Sequence, residues 1–537
     1  MPLLTDLPLE IIYHILGYVD PQDLGRIPRT CKSFYHAVNA NSTLFKQVYL
    51  HHLDAPSRGP IDWERSLKDL VRLRALCDPS FDAHDKVRTY TVGPTKVAPS
   101  LVELLWRPAH ARQKDELDFV HETVTELLKH ASTDGMRPGS TALPLSRNAD
   151  ILTNIFSDES NQFDFLCRSF IYERARAEFH SKDIRYWHGP PKPEHQKSAH
   201  LHCLYGVPLL HAYPSTRRQT RQNLMHPFAS SKVYDLRQYS EKNKWGPFMD
   251  DGTMRIDWEK VEAIMIVLGA NMNSLDIPSR MPMCETYCSV PFAGTWPNSW
   301  KPPHGVLPPR EPEALEKLDP YGITGVWLRV VCFLDYTDFF AYNFGAEEQP
   351  PPHVPRPSIS VGQATRLIMM QIFVTSIENP GPEDGQGLPV VHFKGISRSL
   401  DQGFDENADS DLRGSTVLVR GTVRLTPEGE VRWTTFSIFG GIERWRSESI
   451  QVGGVRSAKG VLGHWFDKDF DPRGPAGPTA FWKVSENRSR NVGAVSSLFA
   501  EVDGVNGDSE SQNREEEDDS DTDEDEVFFG GPSVIID

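Results

Sequence analysis

The chain is poor in cysteine, with seven in 537 residues, scattered and odd in number. That excludes the disulfide framework of a secreted scaffold and points to a reducing compartment, the cytoplasm or the nucleus. The glycosylation sequons at Asn41 and Asn487 are then chance matches. No apolar run approaches the roughly 18 residues of a membrane span. No basic stretch followed by an apolar one opens the sequence, so no signal peptide is read. Positive charge is not in excess either. The net charge is −17, and the segment Asp508–Glu526, with twelve acids against one arginine, carries −11 of it. A body left with −6 has no general attraction for nucleic acid or an anionic membrane, so neither is expected as a partner. Gly-x-Gly-x-x-Gly, Walker and Gly-x-Ser-x-Gly sequences are missing, and Gly385-Gln386-Gly387 reads as a loop. No cofactor is expected.

With 39% hydrophobic residues the chain can build sizeable cores, and its length favours about three domains. The most ordered text lies at the start. Pro8 suits a first helical turn, and Glu10 faces the positive end of the helix dipole. Ile11, Ile12, Ile15, Leu16 and Val19 share one face at helical spacing. Asp20 can cap a second helix with Pro21 at its first position and Asp23 in its first turn. A third helix is expected from near Pro28, carrying Cys31, Phe34, Tyr35 and Val38. Helices this short, in a segment of roughly 45 residues, do not bury enough surface to stand alone. Ile11, Ile15 and Leu24 therefore want a neighbour, either the rest of the chain or another protein.

The order Leu7-Pro8-x-Glu10, an apolar helix, Asp20-Pro21-x-Asp23-Leu24, then Cys31-Lys32-x-Phe34 resembles an F-box. Gly25 and Pro28 depart from the usual run of that motif. The resemblance implies docking on an SKP-type adaptor, and through it on a cullin, with Leu7, Pro8, Ile11, Ile15, Leu16, Leu24 and Phe34 as the adaptor-binding residues.

Past this segment (1–50), a linker (51–100) holds a helix in which Asp62 can cap and Trp63, Leu67, Leu70 and Val71 line one face. Residues 101–270 read as α-helical. Leu117, Val120, Val124, Leu127 and Leu128 keep a 3.6 period; further helices are expected at Ile151–Phe156, at Phe163–Phe179, up to a stop at Gly206, and from Asp257 to a stop at Gly269. A Pro-rich connection (271–320) follows. From 321 to 486 the period changes to that of strands: Val326–Leu334, Asp338–Asn343, Arg366–Ile377, Val390–Phe393, Thr416–Leu425, Val431–Phe439, Ile442–Val452, Val461–Phe466 and Thr479–Val484. Thr426-Pro427-Glu428-Gly429 supplies a turn, and a phase slip places a bulge near Thr434-Thr435. Eight or nine short strands predict an antiparallel barrel or sandwich. The fold class is therefore α+β: three-helix F-box, helical middle, β domain, and an acidic tail (487–537) expected to be disordered. This layout resembles F-box proteins whose receptor module is a β-barrel, the class of the cyclin-D-binding F-box receptor.

Candidate chemistry is sparse. No cysteine has the neighbours of a nucleophile, and the F-box class needs none, so the chain is read as a non-catalytic subunit. Cys284-x-x-x-Cys288 with His200, His202 and Cys203 is better read as buried core than as zinc ligands. The basic cluster Arg217–Arg221 reads as a solvated loop. Most aromatics of the β region must be core. A few at a barrel mouth can line a pocket for a protein substrate, with Trp433, Arg444, Trp445, Arg446, Arg456 and Lys459 the residues singled out. Ser520 and Thr522, set among acids, are candidate phosphorylation sites. The reading is a substrate receptor of an SKP–cullin–F-box ubiquitin ligase; the rival is a binding protein whose barrel holds a small apolar ligand.

Overall fold

In the computed structural model the described residues are 7–39, 41–56, 59–78, 114–133, 146–180, 192–211, 221–277, 289–302, 312–346, 350–351, 354–400 and 417–486. Ser520, Thr522, the acidic tail, Cys284, Cys288 and residues 217–220 of the basic cluster lie outside them. Four N-terminal helices are present: α1 (Leu9–Leu16), α2 (Pro21–Leu24), α3 (Lys32–Val38) and α4 (Ser42–His52). Asp20 caps α2 through Gln22 N–H at 2.8 Å, as expected. Pro8 sits one place earlier than expected, at the cap of α1, where its carbonyl accepts from Ile11 and Ile12. Pro28 falls in a separate 3-10 turn, Ile27–Arg29, so α3 starts only at Lys32. The ring that removes a donor suits such a turn better than a helix interior.

Helix α5 (Trp63–Leu76), capped by Asp62, buries Leu67, Leu70 and Leu73. It joins the N-terminal helices to the middle. Arg74 pairs with Asp20 at 3.0 Å, the Trp63 ring meets Tyr49 edge-on at 5.1 Å, and the Arg72 guanidinium lies 3.9 Å over Phe119. A tighter joint sits one step along. The buried Asp54 carboxylate accepts from the backbone N–H groups of Ser132, Arg147 and Asn148 and from the Ser146 hydroxyl. Ser146 caps α7 (Arg147–Ile155), so Asp54 places a carboxylate where the helix dipole is positive. Arg147 in return donates to the Leu50 and His51 carbonyls at the end of α4. The two helix ends thereby satisfy each other's orphan groups.

The expected amphipathic stripe is the buried face of α6 (Lys114–Lys129). The helix expected from Phe163 to Phe179 is split into a π turn, Gln162–Leu166, and α8 (Phe170–His180). Helix α9 (Pro193–Tyr205) stops at Gly206, whose φ of 98° only glycine adopts at little cost. Helices α10 (Arg221–Val233) and α11 (Trp258–Ser274) follow. Every residue of α11 from Glu259 to Met272 is buried, because it lies between α9, α10 and strands of the β domain. Gly269 does not end it. A methyl there would stand 3.1 Å from both Val207 Cγ atoms, so the glycine permits a close crossing within the helix. The middle helices thus buttress the β domain.

That domain is a closed antiparallel barrel of eight strands in meander order, β1 (Gly325–Leu334), β2 (Gln363–Glu378), β3 (Val390–Ser399), β4 (Val417–Leu425), β5 (Val431–Phe439), β6 (Ile442–Gln451), β7 (Val461–Asp467) and β8 (Ala476–Ser485), with β8 paired to β1. Two expectations are corrected. Residues 338–343 belong to a helix, α12 (Tyr336–Phe344), capped by Asp335. The irregularity of β5 lies at Ser437/Ile438 against β6, and Thr435 stays in phase because its hydroxyl bonds that of Ser447 inside the barrel.

Burial also sets a pH dependence. His464, 3% exposed on β7 and close to Tyr239 and Lys260, has its pKa pushed down to about 3, first by burial and then by the lysine charge. The folded chain keeps this imidazole neutral, whereas the unfolded chain binds a proton below about 6.5. Stability is therefore lost as pH falls from about 6.5 towards 3, by about 2 kcal/mol between pH 6.5 and 5. Urea midpoints measured at those two pH values are expected to converge in His464→Gln; an unchanged pH slope in that variant would refute the assignment.

Candidate binding surfaces

Alternation assigns the inner face of each strand. On β1, Trp327, Arg329, Val331 and Phe333 point inward; opposite them on β2 stand Met370, Ile368, Arg366 and Ala364. One half of the interior is apolar and filled. Trp433 is fully buried against Trp327, Phe481 and Phe393, with ring centroids 5.0, 5.4 and 5.7 Å away. Tyr321 and Ile323 belong to the same cluster and precede β1 at this end. Eight strands leave an interior just wide enough for such side chains.

The other half is polar. Thr435, Ser447, Ser449 and Thr479 face inward with Gly421, Gly463 and Gly477. At Gly421 a side chain would collide with the Phe393 ring, so the glycine makes room for that ring. Among these groups lies Arg329, 5% exposed, whose Nε donates to Thr479 Oγ1 at 3.0 Å. Burial lowers its pKa to about 10, which leaves it charged near neutrality. Arg366, diagonal to it across the β1–β2 ladder, has a buried Nε with no acceptor and sets its guanidinium 6.0 Å from the Phe333 ring centre. Among the described residues no carboxylate pairs with either arginine. Half-buried Trp445 and Trp465 meet edge-on at 5.3 Å at the same end, where α12 also stacks Tyr336, Phe340 and Phe344 in series.

The six residues expected to read a substrate are dispersed. Trp433 is apolar core. Lys459 is 1% exposed and donates to the Tyr205 carbonyl at the end of α9, joining helix to barrel. Arg446 and Arg432 together neutralise the buried carboxylate of Glu448 on the outer wall. Arg456 is exposed at the apolar end, in the β6–β7 connection. Only Arg444 and Trp445 reach the polar end, their side chains 5.2 Å apart. Arg329 and Arg366 escaped sequence reasoning, since nothing but closure of the barrel says which face of β1 and β2 is inside.

The second surface is the outer face of the N-terminal helices. Leu7, Leu9, Ile11, Ile15, Tyr18 and Tyr35 are exposed large hydrophobics, while Ile12 is buried. Pro8 is exposed and Phe34 half-buried. Leu16 and Leu24, expected on the adaptor face, are each 3% exposed and pack within the chain. Leu9, Tyr18 and Tyr35 were not singled out, though Leu9 follows directly on the motif's proline. Six such side chains at the surface of one small helical unit form the kind of patch that marks a protein interface.

A helical unit with an uncovered apolar face, fixed by a buried joint to middle helices that buttress a barrel, is the architecture of a docking module carried by a second binding module. Residues 4–51 match the F-box-like family model, so the N-terminal helices form an F-box-like domain. No curated protein and no solved structure matches it.

Proposed function

We propose that this chain is the substrate-recognition subunit of an SKP–cullin–F-box ubiquitin ligase, working in the cytoplasm or nucleus. The observation that carries the reading is the exposed patch of Leu7, Leu9, Ile11 and Ile15 on an F-box-like domain, with Ile12 and Leu16 turned the other way into the chain. Such a patch suits a mainly apolar interface with an SKP-type adaptor, its energy concentrated in a few side chains. The barrel is then the receptor for a protein substrate, in keeping with the resemblance to the cyclin-D-binding class. The chain supplies no acid, base or nucleophile on this reading. It raises the effective concentration of a substrate lysine beside a charged conjugating enzyme that the cullin recruits.

Co-purification tests the reading. The wild-type chain is expected to bring down adaptor and cullin. Ile11→Asp combined with Ile15→Asp alters two exposed positions, leaves the fold intact and loses both partners, by at least about tenfold in captured adaptor. Equal capture by the double variant, or no adaptor on the wild type, would overturn the assignment.

A further inference from the structure

We propose that the polar half of the barrel is an anion-binding site, built to take an acidic side chain, carboxylate or phosphoryl, of a protein segment. The inference names the substrate chemistry of the barrel and rests on the reading of that barrel as a receptor.

Three observations converge. The first is Arg329: an always-charged group almost wholly withdrawn from water, whose hydrogen-bond partner among the described residues is a single neutral hydroxyl, that of Thr479. Buried cations in folded proteins are paired, since desolvation is otherwise uncompensated. The second is Arg366, inward-facing and diagonal to Arg329, with its Nε buried and unbonded. Two like charges at neighbouring inner positions repel, and a shared anion reverses the sign of that interaction. The third is the unused hydrogen-bonding capacity beside them: Ser449 Oγ is buried with no partner. The molecule shows how it treats other internal charges. Glu448 is met by two arginines and Asp235 by Arg237 and Arg356. Among the described residues, Arg329 and Arg366 depart from that rule, and both do so on the inner face of the barrel wall. A guanidinium fork suits bidentate capture of carboxylate or phosphoryl oxygens. Phe333, Trp445 and Trp465 stand beside it to flank the apolar stem of the bound residue.

The full-length chain, at constant ionic strength, is titrated with inorganic phosphate and then with three synthetic nine-residue peptides that differ only at a central serine, glutamate or phosphoserine. Tryptophan fluorescence, read as the difference between the wild type and Trp445→Phe so that the Trp445–Trp465 pair is isolated from the chain's other tryptophans, reports binding, and thermal melts report linkage. Saturable binding of phosphate and of one acidic peptide is expected, at least about tenfold tighter than the serine peptide. Preference for glutamate assigns a carboxylate and preference for phosphoserine a phosphoryl group. Arg329→Gln and Arg366→Gln are each expected to weaken binding about tenfold or more. Arg65→Gln, on the exposed face of α5, leaves it unchanged. Arg366 is half-buried, so its variant decides the matter if Arg329→Gln does not fold. No saturation with any of the anions, or equal binding by wild type and Arg366→Gln, overturns the proposal. Adaptor capture measured on the same preparation separates this failure from failure of the ligase reading.

Discussion

Asp54→Ala is expected to destabilise the F-box end of the chain by about 3 kcal/mol, out of proportion to one short side chain. The carboxylate accepts four hydrogen bonds in a buried setting, three of them from backbone N–H groups of Ser132, Arg147 and Asn148. Alanine leaves those donors without an acceptor and removes the negative charge at the start of α7. Arg147 then loses the partner that fixes the first turn of α7, and its grip on the Leu50 and His51 carbonyls loosens. Asp54→Asn keeps one acceptor oxygen but brings an NH₂ against donors, so it falls between wild type and alanine. Hydrogen exchange resolves the effect by place: faster exchange is expected at the amides of residues 146–150, with the barrel strands unchanged. A wild-type melt and unchanged protection in Asp54→Ala would show that the joint is not a stability element. In the ligase reading the same joint fixes the distance between adaptor and substrate, so a loosened joint lowers ubiquitylation without lowering adaptor capture.

What was legible in the sequence follows from how local each cause is. Asp20, Asp62 and Asp257 each cap the helix expected of them, because a cap needs only its own backbone two or three residues on. The turn Thr426–Gly429 closes as expected, with Gly429 at φ 89°. Strand alternation is a property of a few neighbours, and it located all eight strands. The misreadings have non-local causes. Tyr336–Phe344 is rich in the aromatics that favour strands, yet Asn343 is fixed from afar: Leu236 N–H donates to its Oδ1 and its Nδ2 donates to the Tyr234 carbonyl. The local signal that outweighs its composition was present in Asp335, an N-cap, and Asp338 in the first turn. Gly269 reads as a stop until Val207, far away in sequence, is placed against it. The polar half of the barrel was hidden for the same reason. Arg329 interrupts an apolar strand and looks like a solvent-facing residue until β8 closes on β1 and places that face inside.

Trp433→Ala is expected to cost about 4 kcal/mol, the value for emptying a fully buried aromatic site. Its ring is the hub of the apolar half, in contact with Trp327, Phe393 and Phe481, and its Nε1 donates to Gln451 Oε1 at 3.3 Å. Strands 1, 3 and 8 lose a common packing partner at once, so the loss has no local remedy in a closed sheet. The variant also decides between the two uses of a barrel. A carrier of small apolar ligands keeps a cavity in the wild type, and a probe such as indole then raises its melting temperature. In this chain the apolar half is occupied by its own side chains. Indole is therefore expected to leave the wild type unmoved and to restore part of the stability lost in Trp433→Ala, because only the variant has the space. Stabilisation of the wild type by indole would favour the carrier reading and detract from the receptor. Rescue confined to the variant leaves the polar half, with Arg329 and Arg366, as the part of the barrel interior free to meet a partner.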